Sequence, residues 1–565
     1  MRPDLNLARP LRRLLLAAGL AVAASTAAQA QDGPPPSGVS YAPPPAEAGS
    51  AEAAPTQSRA RRSRAEIRPY LEVAQVVSAD LDGGDTLTYT SVAAGVDGRV
   101  QTRRVTVQMS YRYQRNIEWS GEVGDQDVHS GIAQIGVEVV PGALQMEAGA
   151  IATRTGGQGR AVGTTDRDEA VEVYGAYAGP TLSTHAGPVA VNAAYRLGYV
   201  TIDDDMLDGA APDQIDSAVT HSATASVGMA PGRLPVGWTV GAGYARSEND
   251  SEFDDEFEGA YVRGDVVVPV TPTLALTAGV GYEDIQASQL DFAEDANGDP
   301  IVGPDGGPVA DPNRPRVLTY DLSGIIYDAG LIWRPSARTE LQVRAGHRYG
   351  GTTVVGSLSH QFSAQAGVGV VVYDTVETAG NLIVSDLSNL PDEFEVVRNP
   401  LTGSLGGCVF GADPGSGACL DRGLQSLRGS TFRMRGASLV VSGERGLWSW
   451  GIGAGYNHRR YGRPDQDPDF DLLGGNTDEN YGVYASLGRQ LSRSSQLDFD
   501  LYANWFDTDE ADFDKVFTTG ATASYTRRLL LDRMRLLAAL GIDHTDDGTL
   551  SSTALSGLLG LRYTF

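Results

Sequence analysis

From Ile67 to Phe565 apolar and polar residues alternate with a period of two, in segment after segment separated by turns. That period places successive side chains on opposite faces of an extended strand. In Val105 to Ile117, the residues Val105, Val107, Met109, Tyr111 and Tyr113 alternate with Thr106, Gln108, Ser110, Arg112 and Gln114. The same dyad recurs at Val189 to Tyr199 and at Glu340 to Arg348. It returns in Trp448 to Asn457 and in Leu497 to Trp505. Each segment is apolar on one face and polar on the other.

A soluble sandwich also alternates, but three features favour a membrane. The segments run about ten residues or more, the length of a tilted bilayer crossing. Aromatic residues stand near segment ends, at Trp119, Tyr199, Tyr282, Trp333, Tyr349 and Trp505, where an interfacial girdle lies. The connections also alternate in length. Short turns fall at Pro141-Gly142, at His185 to Pro188, at Pro231-Gly232 and at Thr271-Pro272. Others fall at Arg334 to Ser336, Glu444 to Gly446 and Leu491 to Ser494. Between them lie the long acidic connections Thr155 to Glu169, Asp203 to Asp216, Ala287 to Arg316 and Ala379 to Gly429. The expected fold is all-β: a transmembrane, antiparallel, up-and-down β-barrel of about 22 strands, with roughly 18 to 22 compatible with the pattern. An even count puts both ends on the short-turn side, the periplasm of a Gram-negative cell.

The two termini carry transport signals. Arg2, Arg9, Arg12 and Arg13 precede the short apolar core Leu14 to Ala24, and Ala28-Gln29-Ala30 is a small-x-small cleavage site. Residues 1–30 therefore read as a signal peptide. Residues 31–66, rich in Pro and Ala and ending in Arg59, Arg61, Arg62 and Arg64, cannot bury a core and read as a disordered periplasmic segment. The barrel then occupies residues 67–565. At the other end Leu559, Leu561 and Tyr563 step in alternation to the terminal Phe565. This resembles the signal read by the barrel-assembly machinery of outer membranes, which is expected as a partner together with periplasmic chaperones.

The net charge of −27 argues against nucleic acid, whose phosphates demand a basic surface. The acid gathers in loops such as Glu248 to Glu256, and Lys515 is the only lysine. Charges cannot face lipid cheaply. Arg112, Arg196, Arg344, Arg348, Arg433, Arg435, Glu147, Asp498 and Asp500 are accordingly assigned to the lumen. They are either Arg–carboxylate ladders between strands or the lining of a selective constriction. Cys408 and Cys419 stand in one long loop of an exported chain, so a local disulfide is expected. Asp295, Asn297 and Asp299 have the spacing of a calcium loop, but Pro300 and Gly306 stand where its glycine and bidentate glutamate belong. An ordinary acidic loop is the plainer reading, and no other cofactor is implied. Seven scattered histidines and the lack of a Gly-x-Ser-x-Gly or His-Glu-x-x-His motif give an enzyme no support.

Stretches such as Tyr70-Leu71-Glu72-Val73, Leu87 to Ala93, Tyr195 to Val200 and Gly346 to Thr353 resemble a family of alphaproteobacterial outer-membrane barrels. They are similar in type to the beta-barrel porin 2 class and to barrels that accompany exopolysaccharide export. Some such barrels go under the name of an auxiliary preprotein-translocase subunit, a small one-helix protein that this chain does not resemble. The resemblance implies a porin-like channel or polymer-export conduit, passing small solutes or polysaccharide through the outer membrane. A barrel of about 22 strands is also similar to TonB-dependent transporters, but those carry a plug domain where this chain has the Pro-rich segment. The alternative is a structural or adhesive surface barrel closed by its long loops. The Ala379 to Gly429 loop separates the two: a channel folds it inward, an adhesin projects it outward.

Overall fold

The computed structural model describes residues 64–565 apart from 85, 121–124, 157–169, 204–214, 297–299, 304–308, 392, 397, 406, 412, 426, 463–476, 510–514, 530–532 and 549–550. The expected signal peptide and nearly all of the Pro-rich segment lie outside the described residues. Twenty-two antiparallel strands form one sheet, here numbered β1 to β22 in chain order around the barrel. The first, β1 (Arg64–Asp80), starts just before the expected barrel boundary. It pairs with the last, β22 (Ser551–Thr564), in a register that sets Val73 against Leu561 and Ala79 against Leu555. This pairing closes the sheet on itself and removes both edges, whose unpaired N–H and C=O groups would otherwise be orphaned in lipid.

The period-two sequence sorts directly onto two faces. On the outside Leu540 is 67% exposed, Ile325 65% and Leu559 61%, with Leu561, Tyr563 and Phe565 exposed beside them. A continuous apolar exterior on a closed barrel is the surface a bilayer covers. Trp119, Tyr199, Tyr282, Trp333 and Trp505 are exposed on this face, as the girdle requires.

All the short turns named above lie on one rim, together with the start of β1 and the end of β22, and the long connections lie on the other. Not every connection on that second rim is long: five residues join β1 to β2 (Thr86–Gln101), and the tightest is shorter still. On the long-loop rim β13 (Thr339–Arg348) and β14 (Gly351–Ser363) are joined by Tyr349-Gly350 alone. Both residues have positive φ, 53° and 66°, the two-residue geometry that matches strand twist. The neighbouring β12 (Val317–Ser336) has 20 residues against 10 in β13, so this hairpin leaves a notch in the rim. The chain fills it. Tyr349, expected in the girdle, is instead buried against Phe257, Ile285 and Val376.

Candidate functional site: a loop inside the barrel

The connection between β15 (Ala366–Glu377) and β16 (Phe432–Arg445) does not leave the barrel. It turns into the lumen and reaches the inner wall on every side that its contacts name. Thr378 starts the turn. Its hydroxyl accepts a hydrogen bond from the Asn381 amide and lies 3.0 Å from Ser247 Oγ on β9 (Gly237–Asp250). As N-cap it opens α1 (Ala379–Ser388). Leu382 to Leu387 are all buried, so the helix is enclosed on nearly every face rather than along one stripe. Leu382, Ile383, Val384 and Leu387 join one apolar cluster with Ile132, Ile151, Val173 and Val200 of the inner wall.

Helix and sheet approach closely because the contact residues are small. A Cβ on Gly175 would meet Ile383 Cγ2 at 3.2 Å, and one on Gly198 would meet Val384 Cγ2 at 2.5 Å. Gly198→Val therefore overpacks the seat of α1, at a cost of about 1–3 kcal/mol. The expected result is faster amide exchange in 379–388 with protection of the β-strands retained. Unchanged exchange in the helix would show that the contact is not needed for docking.

Beyond α1 the segment descends toward the short-turn rim. Glu393 pairs with Arg99 and accepts a 3.1 Å hydrogen bond from Gln101 at the lower end of β2 (Thr86–Gln101). Arg398 donates to Ser110 Oγ at 2.8 Å and to Ser130 Oγ at 3.2 Å, bridging two adjacent strands. Burial holds the Arg398 guanidinium below its ordinary pKa. Leu401 enters a pocket made by Val76, Leu87, Tyr89 and Leu558, and the Tyr89 hydroxyl donates to the Leu401 carbonyl at 3.0 Å. That pocket spans the β1–β22 closure.

Cys408 and Cys419 face each other across a short hairpin and form the disulfide, S–S 2.05 Å. They pack with Val440 and Tyr484 on the opposite wall, where Gly451 and Gly453 leave room for Phe410 and the sulfurs. In the chain-entropy model such a link is worth about 3 kcal/mol. The paired change Cys408→Ser and Cys419→Ser should lower local stability by that order, read as faster protease cleavage within 394–424 while the barrel stays resistant. Equal cleavage rates would show that the surrounding walls, not the crosslink, hold the hairpin.

The return path is pinned by backbone carbonyls. Leu424 O accepts from Thr155 at 3.1 Å, Leu427 O from the Ile215 amide at 3.0 Å, and Gly429 O from Asn249 at 2.8 Å. Arg422 pairs with Asp386 of α1. Burial raises the Asp386 pKa above the ordinary carboxylate range against the pull of Arg422. Burial works to lower that of Arg422, but attraction to Asp386 prevails and raises it. The segment thus touches β1, β2 and β9, residues of the strands between them, β15 and β16, and Tyr484 and Asn504 beyond these.

Of the charges assigned to the lumen, Arg112, Arg196, Arg344, Arg348 and Glu147 fall into local ion-pair clusters, and Asp498 and Asp500 are hydrogen-bonded to neutral side chains. Glu72 sits between Arg112 at 2.9 Å and Arg562 at 2.7 Å. Glu147 pairs with Arg196. Arg263, Asp265, Asp328 and Arg344 form a four-membered group, with Arg344 2.6 Å from Asp265 and 3.1 Å from Asp328. Arg348 binds Glu283 at 2.8 Å. Asp498 accepts from Gln496 at 2.7 Å, and Asp500 from the Tyr484 hydroxyl at 2.9 Å.

Arg433 and Arg435 are placed differently from the expectation. On β16 the face that meets the inserted loop carries Phe432, Met434 and Val440, and the two arginines alternate onto the other face. There they share Asp374, at 2.8 and 3.3 Å. Arg433 also donates to the Tyr349 carbonyl at 2.8 Å, and Arg435 to Thr352 O at 3.1 Å. On that same face Val376 of β15 packs with Tyr349, Phe257 and Ile285, so the upper ends of β15 and β16 lie over the short β13–β14 hairpin. Alternation gives the face but not this placement. Of the proposed calcium ligands, Asn297 and Asp299 lie outside the described residues. Among the described residues no group of three or more His, Cys, Asp or Glu is arranged to hold a metal ion.

The sequence matches no protein-family profile and no curated protein. Solved structures with similar coordinates include the FrpB iron transporter from Neisseria meningitidis, with a TM-score of 0.45 at 11% identity, covering 88% of this chain and 83% of that one. The siderophore receptor PiuA from Acinetobacter baumannii gives 0.43 at 10%, covering 88% and 82%. The ferric-catecholate import receptor Fiu from E. coli gives 0.43 at 8%, covering 87% and 81%.

Proposed function

We propose that this chain is an outer-membrane transport barrel held shut by its own β15–β16 loop. The observation that carries this reading is the wall-to-wall course of residues 378–431 through the lumen. A loop used for adhesion would present its apolar side chains outward, whereas Leu382, Val384, Leu387 and Leu401 are all buried inside. Around the loop the wall is polar and charge-paired, a lining suited to a hydrated solute once the loop moves. Small polar solutes or a polysaccharide strand are the cargo this lining fits. In this reading both chain ends lie in the periplasm, and Leu559, Leu561, Tyr563 and Phe565, all exposed, are the signal that the barrel-assembly machinery meets.

The filled lumen also supports a second reading, a surface barrel with no transport role. The two separate in a planar bilayer. Transport requires that releasing the loop create a conducting path, and a surface barrel does not.

A further inference from the structure

The outer wall carries one feature that the loop and lumen do not use. On β17 (Trp448–Tyr461), β18 (Thr477–Ser492), β19 (Ser495–Thr508), β20 (Val516–Leu529), β21 (Met534–Asp546) and β22 the lipid-facing residues line up in horizontal rows. One row runs Trp450, Leu487, Phe499, Ala523, Leu540, and the next runs Ile452, Ala485, Leu501, Ala521, Ile542, Leu555. Phe499 and Leu501 stand on one side, Leu540 and Ile542 on the other, and Ala521 and Ala523 form the floor between them. The result is a groove of about 730 Å³ with an almost wholly apolar lining.

Directly below, toward the short-turn rim, the same face becomes basic and aromatic. Arg489 lies in register with Trp448 and Leu497, and its guanidinium sits 4.7 Å from the Trp448 ring centre. Tyr525 follows in that row, and Arg527 stands one row lower. Arg489, Arg493, Arg527, Arg528 and Arg533 are all exposed. At the other rim the same strands carry Glu479, Asp507, Asp509 and Asp546. The charge gradient therefore sets a direction: an anion enters from the short-turn side. Rows on one face are about 7 Å apart, so Arg527 lies roughly 13 Å below Ala523. Strands β18 and β20 are about 10 Å apart, so one headgroup between them is within reach of both Arg489 and Arg527.

We propose that this sector binds one anionic phospholipid, its phosphate held by Arg489 and Arg527 and one acyl chain lying along Ala521 and Ala523. The site rests on the reading of the chain as a membrane barrel with its short turns toward a phospholipid leaflet. Near a membrane surface one arginine is worth about fivefold in affinity for an anionic lipid.

The test is native mass spectrometry of the full folded chain, released from vesicles of equal phosphatidylglycerol and phosphatidylcholine. Wild-type protein should retain phosphatidylglycerol over phosphatidylcholine by about 25-fold, fivefold for each of the two arginines. R489Q/R527Q should lower that ratio by about fivefold per arginine, and A523F should lower total retention by filling the floor. R103Q/R104Q, in the short turn that follows β2 on the same rim, should change neither. An equal effect of R103Q/R104Q would overturn the site in favour of diffuse rim charge. Inserted wild-type protein with a lipid ratio of one overturns it without any variant, and leaves the barrel reading intact. A chain that fails to insert into vesicles at all, judged by heat-modifiable migration, overturns both.

Discussion

Folded wild-type protein should carry no steady current in a planar bilayer, and a variant with residues 380–428 replaced by a short Gly–Ser linker should carry a large one. The excision is compatible with the fold because the strands it joins are already neighbours. Glu377 pairs with Phe432, and Val376 with Arg433, so a tight connection bridges them without changing register. The removed segment supplies Leu382, Ile383, Val384, Leu387, Leu390 and Leu420 to the largest apolar cluster. Its loss exposes their wall partners to water. Strand pairing around the barrel is untouched, and the closed sheet is what a bilayer enforces. Barrels of this strand number enclose a lumen wide enough to need a plug. Heat-modifiable migration establishes that each protein is folded before current is read. A steady open current from the wild type would sink the closed-state reading. Absence of current from the folded, excised variant would shift the assignment to a surface barrel. In the excised variant the reversal potential under a salt gradient reports whether the paired arginines or the carboxylates dominate the lining.

Strand count, closure and the two unequal rims were legible in the sequence because a barrel imposes one rule on every residue: lipid on one side, protein or water on the other. Val105 to Gln114 shows it in ten residues. The loop was legible only in part. Its length and its two cysteines marked it, and Thr378 followed by Leu382, Ile383, Val384 and Leu387 is a helix signal set among dyads. The small residues that admit the helix, Gly175 and Gly198, sit in strands about 180 to 200 residues away, and no local pattern connects them to it. Tyr349, Arg433 and Arg435 were misplaced for a shared reason. Alternation assumes a straight strand in a wall of even height. The two-residue turn at Tyr349-Gly350 lowers the wall, and the upper ends of β15 and β16 lie over it.

The other large effect is expected where the barrel closes. Glu72 on β1 is buried between Arg112 of β3 (Val105–Ser120) and Arg562 of β22, so one carboxylate serves two guanidiniums on strands either side of it. Arg562 also lies 4.1 Å from the Tyr70 ring centre. Glu72→Met removes the shared partner and leaves Arg112, almost fully buried, beside a second cation and without its ion-pair partner. Breaking a buried pair from one side costs about 3–5 kcal/mol, while replacing both partners by apolar groups of similar volume is close to neutral. Glu72→Met should therefore destabilise strongly, and Glu72→Met with Arg112→Met should be more stable than Glu72→Met alone, although it carries one more substitution. Arg562, less buried, then reaches solvent at the rim. Urea unfolding from lipid vesicles, followed by tryptophan fluorescence, measures the cycle. Additive losses in the double variant would mean that the three charges act independently and that strand pairing alone holds the closure. A recovery of a few kcal/mol would show the carboxylate to be required only because two arginines are already there.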